Sequence, residues 1–346
     1  MKKAIIILSA VVLIIGTFIA ITYLKAQRNN IIDNGFKRLF LKSELSLLKT
    51  IPNSNDGKKI AGSTNHNFFI STLNPGQIIS YDWQLLSDST YHFEINEVPR
   101  LKPVFITTID SPRFYLDACN VPAHYQASFE NLKIISESVS DFAFNQAVHV
   151  NNNIFLWGIG KNSARIKIFR KLNLSTEQYL DVPFDQTIVG KHTPNDGMLQ
   201  YDELYSHLIF TFFYSSQFLI LDTNLKILNI GKTVDTGFSH PSISFEQELK
   251  SGTLVSNKNA GKIVNKNTCV DNGKLFITSM LRADNEINDD FNSNLVIDVY
   301  DLTTRRYLGS FYIPNNSQDK LRSFSIERDR LLALFKNTIA IYKFQL

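Results

Sequence analysis

The side chains able to do chemistry in this 346-residue chain are dispersed rather than grouped. Seven histidines (His66, His92, His124, His149, His192, His207 and His240) stand apart, with no two at zinc-motif spacing. Cys119 and Cys269 are not spaced as a metal pair and are too few for a disulfide framework, which leaves buried thiols or a single bridge. Neither a Gly-x-Ser-x-Gly elbow nor a phosphate-cradling glycine loop occurs, so the hydrolase and nucleotide classes that rely on them lose support. Oxygen donors for a hard cation exist in Asp141, Asp196, Asn267 and Asp271, because calcium-like ions need several converging oxygens. Asp196-Gly197 and Asp271-Asn-Gly273 also suit turns, since these residue types tolerate the left-handed region. These patterns call for no cofactor and no metal.

Binding is the better use for the remaining candidates. Arg113 and Tyr115 follow Pro112 in a segment rich in aromatic and small polar residues, and Arg and Tyr combine apolar contact with directed hydrogen bonds. Lys266, between Asn265 and Asn267, stands just ahead of an expected innermost strand and is placed to reach a channel mouth. With His192 and Asp196, the candidate binding set is Arg113, Tyr115, His192, Asp196, Lys266 and Asn267. The structural alternative pairs Arg113 with a carboxylate and packs Tyr115 between sheets. The acidic, asparagine-rich stretch 284–294 is expected to be a solvated insertion, with cation binding as the other use.

These residues must be positioned by strands. Phe (26) and Tyr (13) outnumber Gly (15) and Pro (10), a balance that suits pleated, half-buried surfaces. Short apolar or alternating runs recur between clusters of Asn, Asp, Ser and Gly, and several pair as hairpins. Examples are 77–84 with 91–95, 165–169 with 178–182, 217–222 with 225–230, and 295–301 with 307–313. The period of roughly 40–50 residues is that of four-stranded propeller blades. Blades are expected near 57–98, 99–137, 138–190, 191–250 and 251–316, and from 317 a last unit runs out after three strands. A strand within 36–50, a segment ambiguous between helix and strand, could complete that unit and close the ring, leaving no long edge exposed. The expected fold is all-β, a six-bladed β-propeller over 36–346, with seven blades as the competitor.

Ahead of it, residues Ala4 to Leu24 carry no charge, enough for a helix to cross a bilayer, and Tyr23-Leu-Lys-Ala26 is a poor cleavage site. An N-terminal transmembrane helix within 1–28 and a polar tether over 29–35 are therefore expected, a cleaved signal being the alternative. Lys2 and Lys3 on one side nearly balance Lys25 and Arg28 on the other, so charge alone does not orient the span. Its position at the extreme start favours a domain outside the cytoplasm, on the periplasmic side. Beyond residue 28 the chain keeps 32 of its 36 basic residues against 32 acidic ones, with no basic stripe to draw phosphate, so nucleic acid is not an expected partner.

Three stretches carry a resemblance: Asp110-Ser-Pro-Arg-Phe-Tyr-Leu116 with Val121-Pro122, Asp196-Gly-Met-Leu199 with Tyr201, and Val264-Asn-Lys266 with Ile297-Asp-Val-Tyr-Asp-Leu302. In these the chain resembles a family of membrane-anchored bacterial propeller proteins, similar in build to TolB-like six-bladed propellers. The resemblance implies a fold and a location and no particular activity. The leading expectation is a membrane-tethered module that binds a protein or peptide. The alternative is a metal-dependent hydrolase or lyase of the lactonase-like propeller type. A small-molecule sensor is a third possibility, weakened because Trp83 and Trp157 fall inside expected strands.

Overall fold

The computed structural model describes residues 13–22, 34–42, 44–95, 105–119, 123–130, 132–139, 142–160, 166–190, 193–235, 244–249, 252–257, 262–315 and 319–346. Six four-stranded antiparallel sheets make a six-bladed propeller. Blade 1 runs Lys59–Ser63, Asn67–Ser71, Gln77–Asp82, Asp88–His92, and blade 2 runs Phe105–Asp110, Arg113–Ala118, Ala123–Ser128, Ile134–Val139. Blade 3 is Ala143–Val150, Asn153–Ile159, Lys167–Asn173, Tyr179–Pro183, and blade 4 is Gly197–Asp202, His207–Phe212, Gln217–Leu221, Ile227–Lys232. Blade 5 is Asn265–Asp271, Lys274–Ser279, Asn294–Asp301, Tyr307–Pro314. Blade 6 takes Leu321–Glu327, Arg330–Phe335 and Thr338–Gln345 from the end of the chain and its outermost strand, Glu44–Pro52, from the start. That last pairing is antiparallel, with Glu44 opposite Gln345 and Pro52 opposite Thr338. A separate two-stranded hairpin, Ser244–Leu249 with Gly252–Asn257, lies between blades 4 and 5 in sequence.

The ring is closed at its centre. Each innermost strand touches the innermost strands of the two flanking blades, in the order 1-2-3-4-5-6-1. All six run the same way, so their first residues gather at one end of the channel, here the upper end, and their last residues at the lower end.

The sequence pattern explains which strand sits where. Second strands lie between two neighbouring sheets and read as continuous apolar runs, as in Leu208-Ile-Phe-Thr-Phe212, where every residue is buried. Outermost strands face water and lose that signal, as in Tyr179–Pro183 with no buried residue. Aromatic rings fill the wedges between blades. Phe93 stacks on Phe114 at 4.0 Å between blades 1 and 2. Trp157, fully buried, tilts against Phe169 at 4.4 Å and Phe210 at 4.7 Å between blades 3 and 4. The turn Asp271-Asn-Gly-Lys274 holds Asn272 at φ 46° and Gly273 at φ 68°, the two positive values that a tight hairpin of matching twist requires.

The segment 36–50 is neither one helix nor one strand. Its first part lies on blade 5, where Phe40 bridges Ser310, and its second part is the closing strand of blade 6. Arg38 anchors the first part. Its guanidinium donates from Nε to Asp298 Oδ1 at 2.8 Å, from Nη2 to Asp298 Oδ2 at 3.1 Å and Ser279 Oγ at 2.7 Å, and from Nη1 to the Leu281 carbonyl at 2.9 Å. The fifth donor meets Glu286 Oε2. The 284–294 stretch is therefore not simply solvated: Glu286 is buried against Arg38, and Asn288–Ser293 forms a short helix.

Of the Ala4–Leu24 run, residues 13–22 are helical and the remainder lies outside the described residues. Among the described residues no helix is long and apolar enough to cross a membrane, and most of the expected transmembrane helix lies outside them.

Candidate binding site at the channel mouth

The upper mouth of the channel is built from irregular strand starts. The ladder between first and second strands shifts register between Ile60 and Gly62 in blade 1, and between Phe144 and Gln146 in blade 3. It shifts again between Asn265 and Thr268 in blade 5, and between Leu321 and Ser323 in blade 6. A bulge releases the extra residue from pairing and re-aims its side chain. Here the freed positions include Asn145, Lys266, Asn267 and Arg322, all at the upper end.

Blade 4 reaches the mouth differently. Asp196 precedes Gly197, whose backbone lies so close to blade 4's second strand that a Cβ would fall 2.4 Å from the Thr211 carbonyl oxygen. Asp196 takes an ion pair from Lys167 Nζ at 2.6 Å and a hydrogen bond from Asn145 Nδ2 at 3.3 Å. On the far side, Arg322 donates to the Gly57 carbonyl and stands 3.6 Å from Asp56. Lys58 lies 4.5 Å from the Phe105 ring centroid. Lys59 keeps an exposed surface, yet burial, then the neighbouring Lys58 charge, lowers its pKa. Lys266 is exposed, and the Asn267 Nδ2 beside it is buried with no hydrogen-bond partner among the described residues.

Three of the expected binding residues, Asp196, Lys266 and Asn267, thus share the mouth. Arg113 does not: it closes the turn from Asp110 at the lower end and is exposed there. Tyr115 is 1% exposed, with its ring stacked 3.9 Å from that of His149, so it packs between blades 2 and 3 and offers no surface. His192 and Asp141 lie outside the described residues. Asp271 ends its strand at the lower end, where burial and then the Glu327 charge raise its pKa. Asp196 and Asp271 therefore sit at opposite ends of the channel and do not converge. Among the described residues no three His, Cys, Asp or Glu side chains are placed to hold a metal ion. Cys119 and Cys269 are free and buried, and burial pushes both thiols up to about 12.

A second polar cluster joins blades 2 and 3. Asp117, fully buried, receives His124 Nδ1 at 2.9 Å and His149 Nε2 at 2.9 Å. Burial works to raise the Asp117 pKa, but the two imidazoles outweigh it and hold the carboxyl at about 2. Tyr115 stacks on His149, and Phe144 stacks on His124 at 5.2 Å. Asp117 and His124 face each other directly across a strand pair, a register the sequence could have disclosed. His149 comes from the next blade, and no local pattern announces it.

No family model matches this chain, and no curated protein matches it. Solved structures do. A member of the DUF4221 family from Bacteroides vulgatus superposes with a TM-score of 0.56 at 14% identity, over 88% of this chain and 98% of that one. Virginiamycin B lyase from Staphylococcus aureus gives 0.51 at 12% identity, over 87% and 99%. A streptogramin B lyase gives 0.50 at 10% identity, over 88% and 98%. At these identities the likeness establishes the six-bladed propeller fold and nothing about activity.

Proposed function

We propose that the domain is a binding module that recognises a protein or peptide through the upper channel mouth. The observation that carries this is the set of bulged strand starts, which turns Asn145, Lys266, Asn267 and Arg322 out of the ladder at one end of the channel. Bulges gather where a fold re-aims side chains for use, and a propeller end is a broad platform for a partner. The run of uncharged residues ahead of Lys25 supports a tether that holds the module at a membrane, on the extracytoplasmic side. Two of the structural neighbours are lyases, which raises a metal-dependent lyase or hydrolase as the other reading. Against it, Asp196 is committed to Lys167, and Asp271 lies at the far end.

Affinity capture from solubilised membranes tests the proposal. The intact protein should recover a specific partner that a Lys266→Ala, Asn267→Ala variant loses and that an Arg113→Ala variant, altered at the lower end, retains. Equal recovery by all three, or no specific partner at all, overturns it.

A further inference from the structure

The mouth is cationic in a domain that is otherwise balanced. Beyond residue 28 the chain carries equal formal charge of each sign, yet the starts of the innermost strands in blades 5, 6 and 1 bring Lys266, Arg322, Lys59 and Lys58 onto one continuous arc. Among the described residues, Arg322 alone of these four forms an ion pair, with the largely exposed Asp56 at 3.6 Å. Among the described residues, neither Lys58, Lys59 nor Lys266 has an anionic partner. Asp196, the carboxylate on the other side of the mouth, is already neutralised by Lys167. Adjacent cations left unpaired cost free energy, and burial first, then the Lys58 charge, lowers the pKa of Lys59. A ligand that brought negative charge to the arc would relieve that cost.

The lower end differs. Asp110, Asp202, Asp271 and Glu327 are the last residues of four of the innermost strands. Each faces a basic residue or a histidine across its hairpin, Asp110 opposite Arg113, Asp202 opposite His207, Asp271 opposite Lys274 and Glu327 opposite Arg330, so these carboxylates have partners of the kind the upper cations lack. Unpartnered positive charge is therefore a feature of the upper mouth, and an anionic ligand is drawn there.

We infer that the segment recognised at the mouth is acidic, a peptide stretch whose Asp or Glu carboxylates pair with Lys59, Arg322 and Lys266. This rests on the mouth being the binding surface. Lysine and arginine on a concave rim recognise carboxylates by charge-assisted hydrogen bonds, and the buried Asn267 Nδ2 supplies a neutral donor beside them.

The test uses the full-length protein in detergent and fluorescence anisotropy with two labelled probes, hexaglutamate and hexaglutamine. Hexaglutamate should bind, hexaglutamine should not, and hexaglutamate affinity should fall by at least about tenfold between about 50 and about 500 mM NaCl as the charges are screened. Lys59→Glu with Lys266→Glu should abolish binding, while Lys226→Glu with Lys343→Glu, an equal change of net charge on exposed sites elsewhere, should preserve it. Lys266→Glu alone, at an exposed bulge, should still weaken binding by about tenfold should the double variant fold poorly. Equal affinity for the two probes, or equal loss in the mouth and control variants, overturns the acidic assignment while leaving the partner-capture result standing. Hexaglutamate binding that persists when the captured partner is insensitive to the mouth would instead overturn the mouth as the functional surface.

Discussion

Arg38 is the most demanding test of how the start of the chain is held. All five of its N–H donors are used, on Asp298, Glu286, Ser279 and the Leu281 carbonyl, and its side chain is fully buried. Burial by itself lowers its pKa, but Asp298 and then Glu286 more than offset that, so the guanidinium is charged. Replacing it with Met removes the cation and strands two carboxylates, Glu286 and Asp298, in a protein interior. Breaking a buried pair on one side costs about 3–5 kcal/mol, mostly because the remaining charge is left uncompensated. In a domain this large, at about 2 °C per kcal/mol, the melting temperature should fall by about 6–10 °C. Urea unfolding followed by tryptophan fluorescence measures the loss directly. A triple variant, Arg38→Met with Glu286→Gln and Asp298→Asn, removes the stranded charges and should recover more than half of it. Should Arg38→Met cost less than about 1 kcal/mol, or the triple variant prove no better than the single one, the picture of a charge clamp is wrong.

Other expectations follow from single groups. Burial, with Asp298 adding to it, raises Asp235 to about 6 against an ordinary value of 3.8, so the folded state holds its proton longer than the unfolded chain. Stability should therefore fall by up to about 3 kcal/mol as pH rises from about 4 to 6 and then level off, and Asp235→Asn should remove that slope in pH-dependent urea titrations. Asp117 has the opposite sign: held at about 2, its carboxylate stabilises the fold above about pH 4, and about 2 kcal/mol is lost as pH falls to 2. Asp117→Asn should flatten that acid limb, and an unchanged limb would dissociate it from the two histidines. Gly197→Ala drives a methyl into the Thr211 carbonyl and the Phe210 ring and should cost about 1–3 kcal/mol by denaturant midpoint. Trp157→Ala empties the wedge between blades 3 and 4 and should cost about 3–5 kcal/mol by the same measurement.

The blades were legible because their signal is local. Second and third strands buried on both faces read as apolar runs, as in Lys274-Leu-Phe-Ile-Thr278, and turn residues such as Asn272-Gly273 punctuate them. Lys266 could be placed at the start of an innermost strand for the same reason, since strand order within a blade follows chain order. Where the polarity of a side chain is shared between packing and display, the sequence is silent. Tyr115 has the composition of a binding residue, and only the approach of His149 from the next blade buries it. Arg113 stands two residues away and ends on the opposite side of the ring from Lys266, because a hairpin turn sends its strand back the other way.

The clusters that matter most to the interior are non-local by construction. Arg38 meets Asp298 across 260 positions of sequence, and His149 meets Asp117 only because blade 3 packs on blade 2. What the sequence by itself determined is the period of the strands, their class, and the neutral balance of charge beyond residue 28. Only the tertiary structure decided that Lys58, Lys59, Lys266 and Arg322 gather at one end of the channel. The physical reason is that each innermost strand contributes a single first residue and a single last residue. A field of either sign arises only when six such strands, far apart in the chain, are aligned in parallel around one axis.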